Sequence, residues 1–342
     1  MAYIILNKNH FFNNLDIISK STKTRDKIAL VLKDNAYGHG LFEMASMAKE
    51  YGINKAVVRT CKEAEVIEDF FEYILVLGEI PTSKSQKIRY TINDMKSIQK
   101  YPKGTKVELK IDTGMHRNGI VESELEEAFA KIKDAELLLE GVFTHHRSAD
   151  ELTSEWFWQK ENFKKAKDKS RKLAHEFGFG ALRFHSSNSA SLLRHTDFDE
   201  DMARVGIAAY GCLELPDALH VKGLKPVLSL WANKISQREV KAGDRIGYGG
   251  DYKAPRDCIA SNYDFGYGDG FFRACANGYV SASGAELLGR ISMDNSTFAT
   301  SEEKLLVFDN ATVVAKYAKT ISYEVLTALK PNIKREIIEH SD

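Results

Sequence analysis

Ile28-Ala29-Leu30-Val31-Leu32-Lys33-Asp34-Asn35-Ala36-Tyr37-Gly38-His39-Gly40 is the stretch that decides the fold. An apolar, partly β-branched run stops on a lysine, and a polar loop with glycines at 38 and 40 follows. The pattern predicts a buried strand that delivers one amine to a site at its carboxyl end. Burial strips water from an ammonium and favours the neutral amine, which attacks carbonyls, so Lys33 reads as a Schiff-base lysine. Read as structure alone, it is a strand-end lysine reaching for solvent. The rest of the chain decides between the two.

Outward from this stretch, short apolar runs alternate with longer amphipathic ones through about residue 211. The expected strands are Ile28–Lys33, Lys55–Thr60, Tyr73–Glu79, Ile88–Asn93, Lys106–Asp112, Leu138–Thr144, Leu182–His185 and Arg204–Tyr210. Leu41–Tyr51, Lys62–Phe71, Glu122–Lys133 and Ser154–Phe177 read as helices between them. Eight strands with intervening helices predict a (β/α)8 TIM barrel; a doubly wound sheet alternates similarly, and the count separates them. From about residue 226 the runs become short and β-like, with Gly243, the Gly247–Gly250 turn, Gly266–Gly270 and Gly278 between them. The chain therefore divides into a barrel, 1–224, and a smaller, mainly β C-terminal domain, 225–342.

Composition excludes several classes. Lys plus Arg and Asp plus Glu both number 48, so zero net charge gives no reason to expect nucleic acid or an anionic membrane as partner. Cys61, Cys212, Cys258 and Cys275 form no CxxC pair, which argues for reduced thiols in the cytoplasm and against a disulfide frame or a metal site. The apolar run at the N-terminus is too short for a signal peptide. No segment approaches the roughly 20 apolar residues of a membrane span.

The strand ends carry the chemistry. Lys33, Arg59, Lys110 with Asp112, His145, His185 and Arg204 all close apolar runs. In a barrel those ends share one face, where active sites lie. Tyr37 offers a hydroxyl to an anion. Ser186-Ser187-Asn188-Ser189 follows the seventh strand, and Gly206 lies in the run Arg204–Gly211 that ends the barrel; both fit a phosphate site, though the first also reads as an ordinary helix cap. In Asp112-Thr113-Gly114-Met115-His116-Arg117, Arg117 is a candidate clamp for a substrate carboxylate. In Asp264-Phe265-Gly266-Tyr267-Gly268-Asp269-Gly270, glycines would expose Tyr267 at a tight turn. A tyrosine acts as a base near neutral pH only beside positive or hydrogen-bonding neighbours.

Together, Lys33 to Gly40, Asp112 to Arg117, Gly266 to Gly270 and Gly289-Arg290-Ile291-Ser292-Met293-Asp294 closely resemble the alanine racemase family over nearly the whole chain. The resemblance implies a barrel that binds pyridoxal 5'-phosphate, a β domain that supplies a second base, and a head-to-tail homodimer with shared sites. It implies cofactor contacts from Lys33, Tyr37, His145, His185, Ser189, Arg204, Gly206 and Ile207. Arg117, Met293 and Asp294 would bind substrate, and Lys110 matches a lysine that is often carbamylated. Lys33 and Tyr267 would act on opposite faces of the α-carbon and interconvert L- and D-alanine, with D-alanine going to peptidoglycan. An arginine at the pyridine nitrogen, in place of the usual carboxylate, disfavours a proton there and suppresses side reactions.

Some positions depart from the family pattern. His146 and Arg147 stand where an apolar and a small residue are usual, and Arg147 is expected to bring positive charge to the cofactor face. Asp34 replaces an alanine, and Pro331 lies where a phosphate-touching tyrosine is often found. These departures leave a broad-specificity small amino-acid racemase as an alternative. A barrel decarboxylase would need an acidic group where Arg204 stands and a cysteine where Tyr267 stands. A non-catalytic cofactor carrier would lack the second domain, and a lysine aldolase does not explain phosphate-site residues on the last two strands.

Overall fold

A computed structural model of the chain describes residues 1–194, 197–276 and 278–339. The chain opens with strand β1 (Tyr3–Asn7) and helix α1 (Lys8–Thr22). Asn7 caps the helix by accepting from the His10 amide, and Phe11, Leu15 and Ile18 line its buried face at helical spacing.

Eight parallel strands then form one sheet: β2 (Ile28–Val31), β3 (Lys55–Val58), β4 (Tyr73–Val76), β5 (Ile88–Ile92), β6 (Lys106–Lys110), β7 (Leu138–Phe143), β8 (Arg183–His185) and β9 (Ala203–Val205). Helices α2 (Leu41–Tyr51), α3 (Cys61–Ile67), α4 (Leu125–Asp134), α5 (Glu155–Glu176) and α6 (Ser189–Arg194) intervene. Strand order runs β8-β7-β6-β5-β4-β3-β2-β9, the expected barrel. The seam between β8 and β9 carries no ladder. It is closed by the Asp201 amide on the Phe184 carbonyl (3.1 Å) and the Arg204 amide on the Ser187 carbonyl (2.9 Å).

All eight expected strands are present, with shifted ends. β2 stops at Val31, so Lys33 stands just beyond the strand end. β9 ends at Val205, not Tyr210: from Gly206 the chain makes helix-like turns, with the Ala209 amide on the Gly206 carbonyl at 2.8 Å. A Cβ at residue 206 would sit 2.7 Å from the Tyr37 hydroxyl, so this close approach requires glycine.

The second sheet contains β10 (Leu228–Val240), β13 (Cys258–Tyr263), β14 (Ser296–Ala299), β15 (Lys304–Phe308) and β16 (Lys334–Ile338); β11 (Arg245–Ile246) and β12 (Tyr252–Lys253) form a separate ribbon. Helices α7 (Ala311–Ala318) and α8 (Ser322–Ala328) precede β16. β1 also belongs to this sheet, antiparallel to β10 and parallel to β16. The two ends of the chain are thus adjacent strands, a pairing that local periodicity does not reveal. Among the described residues no helix is long and apolar enough to cross a membrane.

Candidate active site

A cavity of about 460 Å³ opens at the carboxyl ends of the barrel strands. It brings together Lys33, Tyr37, Lys110, Arg117, His145, Ser189, Arg204, Gly206 and Ile207. His185 lies directly behind it, bonded to Arg204. Tyr267, Met293 and Asp294 do not line it; they form an exposed cluster in the β-rich part of the chain.

Lys33 is placed by an unusual backbone. Asp34, Asn35, Ala36 and Tyr37 all have φ between 52° and 55°, one turn of left-handed helix. Each such residue costs about 1–2 kcal/mol. The turn is held by the Asp34 amide on Glu63 Oε1 (2.6 Å), the Leu41 amide on Asn35 Oδ1 (2.9 Å) and the Ala36 amide on the Leu32 carbonyl (2.8 Å). The Lys33 amine is not buried as the strand pattern predicts: its side chain is 36% exposed, on the cavity side, with Nζ 3.7 Å from Asp34. Asp34 also meets Arg59 at 3.2 Å, so the departure at Asp34 brings an ion pair to the cavity mouth.

One end of the cavity is a cradle of small groups. Ser189 Oγ accepts from the Gly206 and Ala208 amides at 3.1 and 3.3 Å, and Tyr37 packs over Gly206. Burial, then Tyr323 and Asp34, push the Tyr37 phenol well above its ordinary pKa, so it stays a neutral hydroxyl. Glu200, buried, accepts from the Ser186 and Ser187 amides (2.7 and 3.0 Å) and fixes the loop leading to Ser189. In the sequence Glu200 sits in an acidic run that reads as surface.

Arg204 forms the floor. Nη1 donates to His185 Nδ1 (2.5 Å) and the His185 carbonyl (3.3 Å); Nη2 donates to the carbonyls of Thr144 (2.6 Å) and Ser186 (3.2 Å). Its Nε–H has no protein partner among the described residues. Burial lowers the guanidinium to about 10, which leaves it charged at neutral pH.

Opposite Arg204, the 112–118 loop carries Arg117 to the cavity. Asp112 Oδ1 shapes the loop by accepting from the Gly114 and His116 amides at 2.9 and 3.0 Å. Burial, then the Arg117 and Arg204 guanidinium groups, bring Lys110 down to about 8. Burial, then Arg204 and Lys110, hold His145 well below the ordinary histidine range.

Two expected departures resolve differently. Arg147 does not line the cavity: it donates to the Gly114 carbonyl (2.6 Å), pairs with Glu155 and so ties the Arg117 loop to α5. Tyr323 on α8, not residue 331, brings a second tyrosine to the cavity, with its ring centroid 5.8 Å from that of Tyr37. Sequence reading also passes over Glu108, the buried partner of His185. An acid flanked by apolar residues in the strand run Val107-Glu108-Leu109 is a signal for it.

Comparison with known proteins agrees along the whole chain. Residues 6–214 match the family description "Alanine racemase, N-terminal domain" and residues 227–337 match "Alanine racemase, C-terminal domain". The chain is 45% identical over 340 residues to the alanine racemase of Campylobacter curvus, covering 99% of this chain and 100% of that one. Identity to the alanine racemase of a Nitratiruptor species is 45% over 339 residues, with 99% and 100% covered. Among solved structures, the alanine racemase of Clostridium difficile 630 superposes with a TM-score of 0.87 at 28% identity, covering 99% of this chain and 96% of that one. The Bacillus anthracis alanine racemase with bound L-Ala-P gives 0.87 at 27%, with 99% and 95% covered.

His39 links the site to acid stability. Its ring is fully buried, stacks on Tyr210 with centroids 4.4 Å apart, and lies 3.0 Å from the Tyr37 carbonyl through Nδ1. Burial lowers it from 6.5 to about 4. Below about pH 6.5 the unfolded chain takes up a proton that the folded protein refuses until about pH 4, so stability falls as pH drops through that window. The loss from this residue is expected to reach about 3 kcal/mol. Urea melts between pH 7 and 4.5 on the wild type and His39→Gln test it; the variant should show a shallower acid slope, and equal slopes would refute the assignment.

Proposed function

The chain belongs to the alanine racemase family of pyridoxal-phosphate enzymes, and from that premise we propose how its own residues interconvert L-alanine and D-alanine. The residues fit the cofactor. Ser189 Oγ, the backbone at Gly206 and Ile207, and the Tyr37 hydroxyl would hold its phosphate, since a Cβ at residue 206 would fill the cradle. Arg204, with its Nε–H left over, would face the pyridine nitrogen; His185 supports it from behind and His145 lies on the same wall. Lys33 would hold the cofactor through its amine. Pyridoxal phosphate, when bound, supplies an electron sink for the α-carbon of the amino acid.

The protein's part is positioning and proton transfer. Arg117 would clamp the substrate carboxylate, the fork geometry suiting two parallel hydrogen bonds. The Lys33 amine would move the α-proton on one face. Tyr267 of the partner subunit moves it on the other, with Met293 and Asp294 of the partner subunit beside the substrate. Arg204, always a donor, would keep a proton off the pyridine nitrogen and so favour return of the proton to the α-carbon. The barrel, residues 1–224, thus holds cofactor and substrate, and residues 225–342 supply the second base. By family analogy the product serves peptidoglycan synthesis and the enzyme works in the cytoplasm.

The observation that carries this reading is Arg204 as a buried, fully directed cation on the floor of a cavity that also presents Lys33. The direct test is proton NMR of the protein with pyridoxal phosphate and L-alanine in D2O, with optical activity followed by circular dichroism. Loss of the α-proton signal with decay of optical activity to zero is expected, and Lys33→Ala should abolish both along with the bound cofactor's absorbance. No exchange despite bound cofactor would refute the assignment; L-serine in the same assay tests strictness.

Shared sites predict complementation. Lys33→Ala and Tyr267→Phe chains, each inactive alone, should on mixing recover roughly a quarter of wild-type activity, because each hybrid dimer has one intact site. No recovery after demonstrated subunit exchange would place both bases in one chain.

Lys110, neutral above about pH 8, is available to bind carbon dioxide as an anionic carbamate beside Arg117. A carbamate resonance in 13C NMR after addition of labelled bicarbonate, absent in Lys110→Ala, is the expected result. Identical spectra would exclude it.

A further inference from the structure

We propose that Glu108 is a positioning residue for Arg204: it fixes the tautomer of His185, so that the imidazole presents a lone pair to the guanidinium. The inference rests on Arg204 facing the cofactor as described above.

Glu108 and His185 are fully buried below the cavity floor, on β6 and β8. Glu108 Oε2 lies 2.7 Å from His185 Nε2. Glu108 Oε1 accepts from the Tyr73 hydroxyl at 2.7 Å and from Arg183 Nη1 at 2.8 Å. His185 Nδ1 lies 2.5 Å from Arg204 Nη1. Arginine has no acceptor, so Nδ1 must offer a lone pair. The one ring proton of a neutral imidazole is then on Nε2, facing the carboxylate. Both ends of the ring require the same tautomer.

The charges agree with the geometry. Burial alone would raise Glu108, but His185, Arg183 and Tyr73 more than offset that and hold it below the carboxylate range. Burial lowers His185, whose protonated form would set an N–H against the guanidinium. Arg89 and Arg183 lie over the Tyr73 ring, 4.9 and 4.7 Å from its centroid, and keep its hydroxyl on Glu108. The series runs anion, neutral ring, cation. With Nη1 and Nη2 committed to His185, Thr144 and Ser186, Nε–H is the donor left for the cavity.

Glu108→Gln is a sharp test, because three donors converge on the carboxylate and an amide has only one acceptor atom. Arg183 claims the amide oxygen, and the amide N–H₂ then faces Nε2. The proton is driven to Nδ1, where it opposes Arg204. The experiment is NMR of the 15N-histidine-labelled full-length protein, with and without pyridoxal phosphate; a His185→Asn sample identifies the signal. Wild type should carry the proton on Nε2, Glu108→Gln should move it to Nδ1, and cofactor affinity should fall about tenfold or more.

Tyr73→Phe removes another donor to the same carboxylate and should leave the proton on Nε2. A wild-type proton on Nδ1 overturns the proposal. So does a Glu108→Gln protein with unchanged tautomer and affinity, or a Tyr73→Phe protein that shifts both as far as Glu108→Gln does. If Glu108→Gln does not fold, the wild-type spectrum still tests the proposal: a proton on Nδ1 overturns it and a proton on Nε2 supports it. A protein that binds no pyridoxal phosphate would defeat the functional reading, while the tautomer would still be read without cofactor.

Discussion

A buried guanidinium needs acceptors for the donors it turns away from the cavity, and Arg204 imposes that demand on the barrel. An unpaired charge at 5% exposure would cost several kcal/mol, a large fraction of a domain's net stability. Its acceptors come from Thr144 after β7 and from His185 and Ser186 at the end of β8, while its own amide bonds the Ser187 carbonyl. These residues lie at the seam where β8 and β9 share no ladder. One residue therefore ties the strands at the seam together and presents a donor to the cavity. A mutation there would act on fold and chemistry together, whereas Glu108 lies one residue further from the cavity and reaches Arg204 only through His185.

On the other side of the cavity the cost is backbone strain. Four successive non-glycine residues in the left-handed region sum to several kcal/mol. The offset comes from polar groups within reach: Glu63 accepts the Asp34, Arg59 and Thr60 amides, and Asn35 accepts the Leu41 amide. Asp and Asn tolerate this conformation better than most residues, which fits their presence at 34 and 35. The result is an abrupt turn that leaves Lys33 and Tyr37 on the same cavity within a span of five residues.

Much of this was legible in the sequence, because parallel barrel strands are short apolar runs and their reactive ends fall at the same phase of each repeat. Lys33, Lys110, His145 and Arg204 are readable on that basis. What escaped has a common cause. Glu108 meets Arg183 and His185 75 and 77 positions away, and nothing local separates a buried acid with distant donors from a solvated one. Arg147 suggested charge in the cavity because the sequence shows its residue type but not the Gly114 carbonyl that captures it. β1 was hidden because its partners are the most distant in the chain.

On the proposed reading, the exposed tyrosine also bears on assembly. Tyr267 is not on a loose loop: its amide bonds the Ser292 carbonyl (3.0 Å), the Gly268 amide bonds the Met293 carbonyl (2.7 Å), and a Cβ at Gly266 would lie 2.3 Å from that same carbonyl. Proton transfer tolerates little positional error, so a base must be held rigidly wherever it acts. Rigid attachment outside its own chain's cavity is of no use to a monomer. It becomes an advantage when a second copy brings its cavity to the turn, because each base is then oriented by its own well-packed scaffold and only the docking of two rigid surfaces sets the distance between them. On the proposed reading, division of the acid–base pair between chains makes dimerisation a condition of catalysis.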